Sequence, residues 1–462
     1  MSCQKKYNLF RQTFPEFVFE NYRYDVQPDG LHITFRFRLN DSLVFEPASF
    51  IPCRPFLNFG LSAEQMNLLV FNIGMAELVS YWKSYCPPVI RVLPHGLDAD
   101  QIAFWKKLYF NGLGEFFYTN GIRATLDDFV TIKTEGEPLP TKPFIFKDAA
   151  RVESVSSVSE NYIIPVGGGK DSVVTLDLLG QALREHQMER PLPLVMNPRG
   201  ATVECCRIAG YGREDFIEIR RFIHPLLLEL NGKGALNGHT PFSAMLAFYT
   251  LLASALSGRR NIALSNENSA NEATVLSSHV NHQYSKSLEF ENDFRDYVST
   301  HLSSDFNYFS FLRPLSELQI AMLFAQLDNY HDVFRSCNVG SKQDVWCGHC
   351  AKCLFAFIIL SPFLSPERLS CIFGRNLLDD ESMRLYFRQL TGLEQVKPFE
   401  CVGTVSEVNV ALAMALQRWY TSMRPSLLQD FTPSQIQMSL HTISPQHNLN
   451  DFELRQILRH VV

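Results

Sequence analysis

Residues Tyr162–Leu183 read YIIPVGGGKDSVVTLDLLGQAL. The opening YIIPV is short, apolar and β-rich, the pattern of a buried strand. Beyond the glycines, Val173, Leu176, Leu179 and Leu183 recur at helical spacing. Gly167, Gly168 and Gly169 therefore occupy a strand-to-helix turn at the carboxyl end of a sheet, where open α/β folds bind their ligands. Glycine lets the backbone come close to a ligand, and a helix N-terminus offers unpaired N–H groups to an anion. The first reading is a phosphate cradle; the plainer one is a turn needed only for helix–sheet packing.

Outward from this turn, strands alternate with helical segments: YIIPV, then LPLVMN at 192–197, then RRNIALS at 259–265. Such alternation predicts parallel strands joined by crossover helices, hence an α/β doubly wound parallel sheet. Ahead of it, FPEFVFENYRYDVQ leads through Pro28-Asp29-Gly30 into LHITFRFRL, a β-hairpin with Leu31, Ile33, Phe35, Phe37 and Leu39 on one face. Ser62 and Gln65 form a capping box for a helix running to about Trp82. VIRVL reads as a strand, and Asp98 to about Tyr109 as another helix. The expected organisation is an α+β domain over 1–133, a Pro- and Ser-containing linker over 134–160, the α/β domain over 161–374 and a helical region over 375–462.

The chain has 462 residues, 42 Lys and Arg against 48 Asp and Glu, and a formal charge of -6, which argues against a nucleic-acid surface. It contains no run of about 18 apolar residues of the kind that crosses a bilayer, so no membrane partner is expected. Eleven cysteines without an export signal suggest a cytoplasmic protein whose clustered thiols hold metal or react.

The glycine turn can be narrowed. An ATPase P-loop needs a hydroxyl directly after its lysine, and here Asp171 follows Lys170; a dinucleotide turn needs a third glycine that GGGKDS lacks. The segment resembles the PP-loop, Ser-Gly-Gly-x-Asp-Ser, of enzymes that cleave ATP to AMP and pyrophosphate, over roughly residues 160–360. That resemblance implies bound ATP and Mg2+. Gly168 and Gly169 would approach the pyrophosphate, Asp171 would sit near magnesium and Ser172 would donate from the helix start. Gly167 stands where the loop has its first serine, and Lys170, at the variable position, would add positive charge. Asn197 and Arg199, after the second core strand, are candidates to meet adenine, ribose or phosphate.

SCNVGSKQDVWCGHCAKCLFAF places Cys337, Cys347, Cys350 and Cys353 at C-x9-C-x2-C-x2-C. Four thiolates so spaced suit a closed tetrahedral zinc site of structural type. The apolar LFAFIIL that follows suggests that the site staples a buried helix, and His349 reads as a bystander. An iron–sulfur cluster and free buried thiols are the alternatives. Similar clusters follow the PP-loop domain in 7-cyano-7-deazaguanine synthase and its relatives.

Taken whole, with PVGGGKDS, SNENSANEA at 265–273 and KPFECVGT at 397–404, the chain resembles the MurL family. Members epimerise the terminal glutamate of UDP-N-acetylmuramoyl-L-alanyl-L-glutamate, so the resemblance implies that UDP-muramoyl dipeptide as small-molecule substrate. An α-hydrogen beside a free carboxylate is very weakly acidic, and an acyl-adenylate removes that charge and supplies an electron sink. A deazaguanine-type or tRNA-modifying enzyme is the alternative, and a non-catalytic nucleotide sensor a third. Glu267 is a candidate base or magnesium ligand, Asn266 and Asn268 are candidate donors to substrate oxygens, and helix capping is the plainer role for the segment. His239 is a catalytic candidate, with Lys170 and Asp171. His279 and His282 lie three apart, a spacing that would allow one helix face with Lys286 a turn on; ordinary surface or core histidines are the plainer reading. Cys205 and Cys206 read mainly as buried thiols; His95 and Arg91 are weak candidates for the UDP-sugar.

Overall fold

The computed structural model describes residues 2–140, 161–420, 423–432, 438–449 and 452–462. Most of the expected linker, 141–160, lies outside the described residues. The chain forms two compact units, neither of them continuous: 1–152, 217–262 and 279–308 make the first, and 153–216, 263–278 and 309–462 the second. Residues 1–133 thus fall wholly in the first unit, which also takes two later stretches.

The strands are β1 Glu16–Gln27, β2 Gly30–Asn40, β3 Leu43–Phe45, β4 Ala48–Pro52, β5 Val89–Val92 and β6 Thr131–Thr134, followed by β7 Tyr162–Pro165, β8 Leu192–Met196, β9 Ile217–Phe222, β10 Asn261–Leu264 and β11 Asn307–Ser310. In the first unit the order is β9-β4-β2-β1-β5-β6, with β3 beside β2. β1 and β2 form the expected antiparallel hairpin, Gln27 opposite Gly30. β5 runs parallel to both β1 and β6, so this sheet is mixed. The alternating face of β2 is buried, with Phe37 at 0% exposure. The helix Ala63–Trp82 starts at a Ser62/Gln65 capping box and is buried along most of its length. Its Glu77 takes a bidentate ion pair from Arg221 at 2.6 and 2.7 Å, which is how a carboxylate can be accommodated so deep in an apolar layer. Asp98 caps the helix Ala99–Gly112 in the same way as Ser62.

In the second unit the strand order is β8-β7-β10-β11, the last two contributing their C-terminal halves. β7 and β8 pair in parallel, Ile163 opposite Leu192, and the helix Lys170–Glu185 makes the crossover between them. The chain leaves β7 for β8 on one side, while β10 lies on the other side of β7. The glycine turn after β7 therefore stands where the strand order reverses, the crevice in which open α/β sheets bind ligands. The protein is thus mixed α/β, with a parallel pair at the decisive turn and both parallel and antiparallel pairs in the first unit. From Arg375 onward the described residues contain helices and turns and no strand.

Candidate functional site

The chain holds Gly168 at φ +81, a conformation that suits glycine. A Cβ there would lie 3.1 Å from the Thr202 nitrogen and 3.2 Å from the Ala201 carbonyl carbon. Its own carbonyl accepts the Arg335 N–H at 2.8 Å. Gly167 is exposed, with nothing within 4 Å of its missing side chain, so the space above it is open to a ligand. Gly169 is the N-cap of Lys170–Glu185 and supplies no side-chain acceptor, which leaves the first N–H groups of that helix to an incoming anion. Ser172 turns its hydroxyl back to the Gly169 carbonyl at 3.0 Å. Arg199 reaches the Gly167 carbonyl at 3.4 Å, and Asn197 is exposed at a left-handed position, φ 50. Both predicted ligand-contact residues thus stand by the turn or in the segment leading from the neighbouring strand.

Lys170 is buried, and its Nζ donates to both Asp171 and Glu317. Rather than projecting into solvent as a lone cation, it sits inside a set of carboxylates. Burial works against its charge, but Asp171, Glu317 and Glu267 together hold its pKa above the ordinary lysine value. Burial raises the Glu317 carboxyl to about 8; Lys170 opposes this while Asp171 and Glu267 reinforce it. Glu407 is buried next to them, its carboxylate accepting the Glu317 N–H at 2.8 Å and capping its own helix at Thr404. Burial raises its pKa too. Several acids around one lysine are a donor set suited to a hard divalent cation, which takes oxygen ligands.

Glu267 is 4% exposed and stands just past the carboxyl end of β10. Arg313, fully buried, donates to the Glu267 backbone carbonyl at 2.5 Å and to Ser310 at 3.2 Å, and Asn266 donates to the same serine at 3.1 Å. Asn268 starts a short 3-10 turn and donates its N–H to the Leu315 carbonyl; the capping reading of this segment gains no side-chain cap bond. The two sequence-distant motifs meet here: Lys397 of KPFECVGT ion-pairs with Glu272 of SNENSANEA, and its N–H bonds the Thr274 carbonyl at 2.9 Å. Glu317, Glu407, Arg313 and Lys397 were not singled out from sequence. Ser316/Gln319 and Thr404/Glu407 read as ordinary helix-starting capping boxes, which they also are.

The four cysteines come together in the second unit. Their sulfurs lie 3.7 Å apart for Cys337–Cys350, 3.6 Å for Cys347–Cys353 and 3.5 Å for Cys350–Cys353. Tetrahedral zinc with Zn–S bonds of about 2.3 Å spaces its thiolates about 3.8 Å apart, so the set fits one such ion. Cys350 caps the helix Ala351–Leu360, which is almost wholly buried. His349 is exposed, and its Nδ1 lies 2.7 Å from the Cys347 carbonyl. Cys205 and Cys206 are fully buried behind the glycine turn, and burial pushes both thiols up to about 12, so neither is a ready thiolate.

His239 belongs to the first unit and converges with Glu115 and His282. Burial, then His282, Lys83 and Lys286, pull its pKa down to about 3. His279 and His282 share no helix face: the segment is turn and 3-10, His279 is exposed on the surface, and His282 turns to Glu115. Arg91 is paired with Glu16 and Glu135, whereas His95, bonded to Tyr22, lines an open cavity with Tyr24 and Asn67.

These features define an α/β protein with a glycine-rich turn at a helix start, a buried set of acids around one lysine and a four-cysteine cluster that could hold a metal ion. The chain belongs to the MurL family: the MurL N-terminal domain matches residues 9–311 and the MurL C-terminal domain residues 333–439. It is 32% identical to the UDP-N-acetyl-alpha-D-muramoyl-L-alanyl-L-glutamate epimerase of Xanthomonas oryzae over 94% of this chain and 91% of that one. Epimerases of the same name from Salinispora tropica and a Micromonospora species are each 36% identical, covering 77% and 74% of this chain and 75% and 73% of theirs. No solved structure matches significantly. No helix among the described residues is long and apolar enough to cross a membrane.

Proposed function

We propose that this chain converts the terminal L-glutamate of UDP-N-acetylmuramoyl-L-alanyl-L-glutamate to D-glutamate for peptidoglycan precursors, consuming ATP to AMP and pyrophosphate in the cytoplasm. The identity to a named epimerase across nearly the whole chain carries the reading. The glycine turn at the strand-order reversal supports the nucleotide half and a PP-loop type of domain.

In this reading a substrate carboxylate oxygen attacks the α-phosphorus of ATP, the bond to the β-phosphate oxygen breaks, and pyrophosphate leaves. The open backbone at Gly167 and the free N–H groups after Gly169 receive the phosphates. The acyl-adenylate no longer carries the carboxylate charge, so the neighbouring C–H ionises to an enolate and a proton returns on the opposite face. Water then cleaves the mixed anhydride to the D-glutamate carboxylate and AMP. Asn266 and Asn268 are assigned to donate to developing oxyanions. Asp171, Glu267 and Glu317 are assigned to hold Mg2+, which would offset phosphate charge when bound. Lys170 keeps these acids together and moderates their repulsion. The four thiolates are assigned to structural zinc that fastens the Ala351–Leu360 helix.

The test is incubation with ATP, magnesium and the UDP-muramoyl dipeptide in deuterated water, reading AMP, glutamate chirality and α-carbon deuterium together. The expected result is dipeptide-dependent AMP with label at an inverted carbon. Inversion at full rate without a nucleotide overturns the mechanism. For Glu267→Gln, loss of AMP supports the magnesium assignment, whereas AMP without exchange reassigns Glu267 as the base.

A further inference from the structure

Outside the thiolate cluster, one other group of metal-ligand side chains converges among the described residues: Glu115, His239 and His282, all in the first unit. They come from three separate segments. Glu115 opens the short helix Gly114–Thr119, His239 lies just ahead of the helix Phe242–Ser257, and His282 precedes the turn Tyr284–Lys286. Small residues press these segments together. A Cβ on Gly112 would lie 2.6 Å from Pro241, and one on Gly238 would lie 3.1 Å from the Phe116 ring. Lys83 donates to the Gly238 carbonyl, and Asn120 donates to the Asn237 carbonyl at 3.1 Å, fixing the His239 segment from two sides. The convergence is thus held by backbone packing and does not depend on the three side chains alone.

Both imidazoles turn Nδ1 to the same carboxylate oxygen. His282 Nδ1 is 2.5 Å from Glu115 Oε2 and His239 Nδ1 is 3.7 Å from it, with the rings 4.4 Å apart. The hydrogen bond to Glu115 accounts for His282 Nδ1 but not for His239 Nδ1 facing the same oxygen, since 3.7 Å is beyond hydrogen-bond reach. Bonds of about 2.0–2.1 Å to a tetrahedral ion put nitrogen and oxygen ligands about 3.3 Å apart, so the triad needs shifts of under about 1 Å to close on one. All three side chains keep some exposure, 23% for His239, so the face opposite the protein stays open.

We propose that Glu115, His239 and His282 form a second metal site, for a borderline divalent cation of the zinc class, with a coordination position left for an anionic oxygen ligand. Two imidazoles and one carboxylate match the donor set of open zinc and iron(II) sites. Lys83 and Lys286 make the surroundings positive. Glu115 offsets part of that charge, and a carboxylate or phosphate oxygen on the open position offsets more, so cation and anion bind best together.

The experiment uses the full chain, free of any affinity tag, equilibrated with Zn2+ and then with Co2+. Elemental analysis is expected to find two zinc ions per chain in the parent, and one in each of Glu115→Gln and Cys350→Ser. Affinity of the site missing from Glu115→Gln should fall at least about tenfold, with circular dichroism unchanged; His239→Gln serves if that variant does not fold. Cobalt in Cys350→Ser should show a nitrogen–oxygen spectrum without thiolate charge transfer, shifting on addition of acetate or inorganic phosphate. A parent that binds one zinc, lost entirely in Cys350→Ser and untouched in Glu115→Gln, overturns the proposal. A cobalt spectrum indifferent to both anions overturns its open position.

Discussion

Replacing each of the three glycines in turn by alanine should separate their roles. At Gly168 an alanine must adopt φ near +81, which costs about 1–2 kcal/mol for an L-residue. Its methyl also meets the Thr202 nitrogen and Ala201 carbonyl carbon at 3.1 and 3.2 Å, main-chain atoms of a helix that cannot swing aside. Such overpacking adds about 1–3 kcal/mol. The sum, about 2–5 kcal/mol, multiplies local opening roughly 30-fold to several-thousand-fold. At Gly169 the backbone is extended and the new methyl meets only the Ser336 side chain, its Cβ at 3.3 Å, so the loss is about 0.5–1.5 kcal/mol, largely from a poorer N-cap. At Gly167 no atom lies within 4 Å, and stability should change by less than about 0.5 kcal/mol while the methyl obstructs the ligand's approach. A chain of two units need not unfold in one step, so the readout is hydrogen exchange of the peptide spanning 162–183, alongside ATP binding by calorimetry. Exchange should rise most in Gly168→Ala, and ATP affinity should fall in Gly167→Ala with exchange unchanged. If Gly168→Ala exchanges like the parent, or Gly167→Ala is the least protected, the account of the turn is wrong.

Lys170→Ala leaves Asp171, Glu267 and Glu317 without their shared cation and should destabilise the second unit by about 3–5 kcal/mol, with Lys170→Met/Glu317→Leu regaining most of it; chemical denaturation followed by a probe in that unit checks this. Because Glu317 binds its proton more tightly folded than unfolded, its stabilising contribution is complete below about pH 4.5 and is lost as pH rises toward about 8. Without metal or nucleotide, the parent should therefore lose stability relative to Glu317→Gln as pH rises across that window, as melting at several pH values would show. Asp171→Asn should abolish AMP formation while leaving far-ultraviolet circular dichroism unchanged. Cys350→Ser should lower zinc content and increase exchange in the Ala351–Leu360 helix, and equal protection with and without zinc would contradict the staple.

What could be read from sequence was what is local in it. The Ser62 cap, the 27–30 hairpin turn and the glycine turn each declare themselves within a few residues, as does the cysteine spacing, because capping, turn and knuckle chemistry are short-range. Glu317 reaches Lys170 across 147 positions and Lys397 reaches Glu272 across 125, and nothing nearby distinguishes those residues from helix-start acids and a surface lysine. The spacing of His279 and His282 permits a shared helix face but does not require one, and His282 instead meets Glu115 across 167 positions. The strands β3, β4 and β6 are three to five residues long, too short for a periodic signal, and are fixed by pairing with β2 and β5. Cys205 and Cys206, read from sequence mainly as buried thiols, do pack as apolar groups behind the turn.

The interleaving of the two units bears on how the protein is made. The polypeptide passes from one unit to the other five times, and the first has all its segments once residue 308 has been synthesised. The second still awaits residues 309–462, which at a ribosomal pace of 5–20 residues per second take roughly 8–30 s. Through that interval β7, the glycine turn and the acid-rich edge exist without Glu317, the thiols or Glu407. No single cut in the gene separates the two units, and a cut within 153–308 divides both, so halves made by such a cut should aggregate, and chaperone demand should concentrate on nascent chains ending between 309 and 407.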